Sequence, residues 1–110
     1  MAERVLTIYT DNLEVAKELM DVESRPGEGE TIELGTELTL RCDAIGIQTG
    51  LVYLERIEFT LSLGMEEGIE EATAWIHERL LDHALTLRID GNRVDHRDPD
   101  AILAQLEDGD

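Results

Sequence analysis

From Ile32 the chain alternates between apolar and polar positions. Ile32, Leu34, Leu38, Leu40 and Cys42 share one phase, and Glu33, Glu37, Thr39 and Arg41 share the other. A period of two predicts a strand with one buried and one wet face, and Gly35 inside it marks a bend or bulge. Asp43 to Gly50, with two glycines, reads as a connection. A second alternation follows, with Ile57, Phe59, Leu61 and Leu63 inward and Glu58, Thr60 and Ser62 outward; Leu51 to Leu54 extend it. Two such strands joined by a short connection predict antiparallel pairing.

Elsewhere the period changes. Val5 to Tyr9 is a short β-branched and aromatic run, the signature of a buried strand. Asp11 then caps a helix to about Val22, with Leu13, Ala16, Leu19 and Met20 at helical spacing. Pro26, Gly27 and Gly29 make the next segment a loop. Gly64 ends the central strand pair. Met65 to about Asp82 is the principal helix, with Ile69, Ala72, Thr73, Ile76 and Leu80 on one stripe and acids in its first turns. Ala84 to Ile89 alternates again, and Asp90-Gly91-Asn92 is a tight turn leading into a short return strand, Arg93 to His96. Asp98-Pro99 opens the last helix, whose apolar side is Ala101, Ile102, Leu103 and Leu106; Glu107 to Asp110 is an acidic tail.

The expected fold is α+β: a mostly antiparallel sheet of about five strands with three helices on one face, in the order β-α-β-β-α-β-β-α. The 110 residues make a single domain, 1–110. With four aromatics, Tyr9, Tyr53, Phe59 and Trp75, the core must be mostly Leu, Ile and Val.

Charge changes the picture most. Twenty-six acids against eight Arg and one Lys give −17. Two readings follow. One is a solvated acidic surface adapted to high salt, where screening removes self-repulsion. The other is an acidic inhibitor, an immunity-type protein or nucleic-acid mimic that engages a basic partner. Either way such a surface repels phosphate backbones and anionic lipid, so direct binding to nucleic acid or membrane is not expected. The lone Cys42 allows no intrachain disulfide and suits a reducing compartment, and Met1-Ala2-Glu3-Arg4 opens no apolar signal region. A cytoplasmic location is expected.

Candidate chemistry fails on spacing. His77 and His83 are six apart and do not share a helix face. Asp95, His96, Asp98 and Asp100 are dense, but a strand end and a helix cap explain them without calcium-loop spacing. Cys42 lies on the inward phase with no adjacent Lys or His to activate it. Glu66, Glu67, Glu70 and Glu71 occupy an exposed first turn, where nothing shifts a carboxylate toward acid–base work. No catalytic residue, metal ligand or cofactor is expected. The chain reads as a non-catalytic module that binds another protein, with Trp75, Ile102 and Leu106 as candidate partner-binding residues. An edge strand, Val5 to Tyr9 or Arg93 to His96, would also permit pairing with a second copy as a homodimer.

Gly64, then Ala74-Trp75-Ile76 in the principal helix, the strand Leu85 to Gly91, and Asp98-Pro99-Asp100-Ala101-Ile102-Leu103 carry a resemblance. Over this C-terminal part the chain resembles the effector-associated constant-component family, small accessory domains encoded beside peptidase-type effectors in prokaryotic conflict systems. Where that family carries an Arg-rich stretch after the Trp, this chain has His77-Glu78-Arg79. The resemblance implies a non-catalytic partner or adaptor of an effector.

Overall fold

A computed structural model describes residues 2–12, 14–24, 26–48 and 54–107. The expectations placed on Leu13, on positions 50–53 and on 108–110 lie outside them. The elements are β1 (Ala2–Thr10), α1 (Val15–Met20), β2 (Thr31–Gly35), β3 (Leu38–Gln48), β4 (Leu54–Leu63), α2 (Glu67–Leu80), β5 (Thr86–Ile89), β6 (Asn92–Val94) and α3 (Pro99–Glu107). The six strands form one sheet in the order β2-β3-β4-β1-β5-β6, and every pairing is antiparallel.

The α+β class holds, but the strand count and order are corrected. The alternating run Ile32 to Cys42 is two strands, turned by Thr36 and Glu37. A two-residue turn pairing Gly35 with Leu38 moves the inward phase by one position, and a bulge between Glu33 and Gly35 moves it back. Ile32 therefore faces Leu40 and the alternation runs on unbroken through a hairpin. The stretch after it is corrected for the converse reason. A bulge between Cys42 and Ala44 reverses the phase, so that Ile45 faces Ile57 and β3 continues to Gln48 in place of the expected connection.

One face of the sheet carries Leu38, Leu40 and Cys42 of β3, Ile57, Phe59, Leu61 and Leu63 of β4, Leu6 and Ile8 of β1, and Leu87 and Ile89 of β5, all buried. Val15, Ala16, Leu19 and Met20 of α1, Ala72, Ile76 and Leu80 of α2, and Ile102 and Leu106 of α3 complete this single core. The helices thus cover one face, with α2 in the middle, touching both others. Val5 to Tyr9, expected as an edge, belongs to β1 between β4 and β5. The short strand after the Asp90-Gly91 turn is the true edge, and β2 is the other.

Local chemistry explains the helix boundaries. Asp11 does not cap α1: the residue before the helix is Glu14, which makes no side-chain cap bond, and Asn12 Oδ1 accepts the Glu14 amide at 2.9 Å in the turn that leads in. Asp98 caps α3 by accepting the Asp100 amide at 3.0 Å, with Pro99 at the first helical position as expected. Arg4 points into the helical layer, where its Nε donates to the Leu106 carbonyl at 3.2 Å and anchors the last turn of α3 to the central strand.

Candidate partner-binding surface

The three residues expected to meet a partner are occupied within the fold. Ile102 and Leu106 are 0% exposed and offer no surface. Trp75 is half-buried: its Nε1 donates to the Leu19 carbonyl at 2.6 Å, and the Arg79 guanidinium lies 3.3 Å over its ring. It clamps α1 against α2, and its face is covered by a cation from its own helix.

The outward row of α3 is the one beside these residues. Pro99 and Leu103, four apart, face α2 across a groove of about 340 Å³. On the α2 side it is lined by Glu70, Thr73, Ala74, His77 and Glu78, and Asp100 joins Glu70 and Glu78 in placing carboxylates around it. Ala74 and Pro99 are exposed, and Leu103 is half-buried. An apolar strip bordered by three carboxylates and no Lys or Arg is the result. In the sequence the signal lay in the width of the apolar side of α3. Ile102 and Leu106 supply one row to the core, and Leu103 falls on a second row that the core does not use.

A larger hollow of about 460 Å³ lies at the C-terminal end of α2 toward α1, lined by Glu18, Asp21, Glu78, Arg79, Asp82 and His83. Its side chains are tied to one another. Asn12 Oδ1 is held by the Glu14 amide, so its Nδ2 faces His83 Nδ1 at 3.1 Å and makes that nitrogen the acceptor. The proton is then on His83 Nε2, which donates to Glu18. Arg79 sits on Trp75, with Asp21 at 4.0 Å. This network joins α1, α2 and the segment before β5. His77 and His83 stay apart, one in the groove and one in this clamp. His96 is buried with Nε2 donating to the His83 carbonyl at 2.7 Å.

Charge is sorted by face. On the sheet's outer face Arg41, Arg56, Arg88 and Arg93 balance Glu3, Glu33, Asp43 and Glu58. Arg41 Nε donates to Asp43 at 2.7 Å, and this bond raises its pKa above the ordinary guanidinium value. Arg56 is raised likewise, first by the Tyr9 hydroxyl and then by the charge of Glu58. On the helical side α2 carries Glu67, Glu70, Glu71 and Glu78 against Arg79, and α3 carries Asp100 and Glu107 with no Lys or Arg. Seven of the 26 acids lie on the three helices, and the other described ones are distributed over strands, turns and connections. Among the described residues no helix is long and apolar enough to cross a membrane. No family model, curated protein or solved structure matches the chain.

Proposed function

We propose that this chain is a non-catalytic accessory module of the cytoplasm that binds another protein through the α2–α3 groove. The occupant is an amphipathic segment with an apolar residue for the Leu103–Ala74 strip and Lys or Arg side chains for Glu70, Glu78 and Asp100. The observation that carries this reading is the pairing of an unfilled apolar strip with a border of one charge, a combination that selects its partner by shape and by sign. The resemblance of the C-terminal part to the effector-associated constant-component family makes that partner an effector of a prokaryotic conflict system. The remaining acidity, with a single Lys among nine cations, is an adaptation to a salt-rich interior.

The test is selection from a random peptide library displayed on phage, against the full chain. Enriched peptides should carry an apolar residue flanked by Lys or Arg and should lose binding to a Leu103→Asp variant. Enrichment of neutral or acidic peptides, or binders indifferent to Leu103→Asp, would contradict it.

A second reading, an acidic inhibitor that covers a basic partner, draws on the six carboxylates that α2 and α3 carry against the single Arg79. It relies on charge alone, so its binding would collapse at molar salt. Binding through the groove keeps its apolar part there.

A further inference from the structure

Cations are scarce in this chain, 9 against 26 acids, and most are paired. Arg4, Lys17, Arg41, Arg56 and Arg79 each lie within 4.0 Å of a carboxylate. Among the described residues Arg88, Arg93 and Arg97 have no such partner; Arg88 makes only a 3.4 Å bond to the Gly91 carbonyl. All three sit at one corner. Arg88 and Arg93 are directly opposite on β5 and β6, a like-charge placement that costs stability. Arg93 and Arg97 line a hollow of about 530 Å³ together with Thr86, Asp95 and His96. Of the hollows described, it is the one in which cationic and imidazole side chains outnumber carboxylates.

Two features make the corner more than a solvated edge. Its one carboxylate is committed locally, since Asp95 Oδ1 accepts the Arg97 amide at 3.0 Å and holds the turn before α3. His96 is only 6% exposed, and its ring is fixed by donation from Nε2 to the His83 carbonyl, so that it forms a rigid wall of the hollow. Asp95 lines the hollow, yet among the described residues no carboxylate comes within 4.0 Å of a guanidinium nitrogen of these three arginines.

We propose that this hollow binds a phosphate group, free or on a small molecule, with Arg93 and Arg97 as its principal ligands and the Thr86 hydroxyl as a further hydrogen-bonding group. Guanidinium forks match phosphate oxygens two at a time, and a group with several terminal oxygens can satisfy both arginines. The ligand is small because a nucleic-acid backbone would run from the hollow onto a surface of the same sign as its own. The site stands apart from the α2–α3 groove, and its success or failure is independent of that assignment.

The experiment is a titration of the full chain, followed by amide NMR at low salt, with inorganic phosphate and separately with glycerol 3-phosphate; acetate is the control. Saturable shifts at Thr86 and Arg93 to Arg97 are expected, weakened about tenfold or more in an Arg93→Gln/Arg97→Gln double variant. Both arginines are exposed, so the variant should keep the wild-type spectrum elsewhere. Tighter binding of the ester assigns the site to a phosphorylated small molecule, and equal binding assigns it to inorganic phosphate. Either supports the proposal. No saturable shift, shifts unchanged in the double variant, or acetate binding as well as phosphate would overturn it.

Discussion

The indole nitrogen of Trp75 donates a 2.6 Å hydrogen bond to the carbonyl of Leu19, in the last turn of α1. That carbonyl belongs to a short helix end that has few partners of its own. Trp75→Phe keeps most of the apolar area and removes the donor. It should cost about 1 kcal/mol in urea unfolding, with the fold retained. An unchanged unfolding midpoint would show that the clamp contributes nothing.

Arg4 secures the other end of the helical layer. Its guanidinium holds the Leu106 carbonyl from a site with little solvent, with Asp90 at 3.8 Å. Arg4→Met fills similar space without the bond, and a loss of roughly 1–3 kcal/mol is expected. Hydrogen exchange should rise first in α3. Uniform destabilisation of all elements would contradict the anchoring role.

The β2–β3 turn meets the end of β4 at one close contact. Glu37 holds φ 52, and its carbonyl accepts the Gly64 amide at 2.8 Å. A Cβ on Gly64 would fall 2.5 Å from the Glu37 Cβ. Gly64→Ala should therefore destabilise by about 1–3 kcal/mol. Glu37→Gly should stabilise by roughly 0.5–1 kcal/mol, because glycine accepts a positive φ. The double variant should be better than the sum of the two, since the nearest clash is gone. Strict additivity in denaturant melts would refute this contact.

Self-repulsion at −17 is larger in the compact state than in the open chain. Raising KCl from about 0.1 M to about 1 M shortens the Debye length from about 10 Å to about 3 Å and should raise Tm. A Tm that is flat or falls with KCl would refute the adaptation to high salt.

The legible parts of the fold were those whose phase had one explanation. Ile57 to Leu63 alternates because β4 lies at the interior of the sheet without a bulge, and Asp98-Pro99 starts a helix because only a cap and a first helical position suit that pair. The hairpin at Thr36-Glu37 was hidden by two compensating phase changes, and its turn used a left-handed Glu where Gly or Asn would have announced it. The tail of β3 was hidden by one uncompensated change at Asp43. For the candidate surface, the sequence pointed to the row of α3, Ile102 and Leu106, that packs into the core. Ile102 and Leu103 are equally apolar, and only the packing of α3 on α2 decides which of them is spent on the core.

The most direct test of the central claim places a photo-crosslinking amino acid at position 103 of the full chain, and at position 39 on the outer sheet face as a control, in the native cell. An adduct from position 103 that is absent from position 39 is expected. Mass spectrometry should map it to an amphipathic, Lys- or Arg-bearing segment, and Glu70→Lys with Glu78→Lys should abolish it. An adduct from position 39 alone, no adduct from position 103, or a crosslinked segment without basic residues would contradict it.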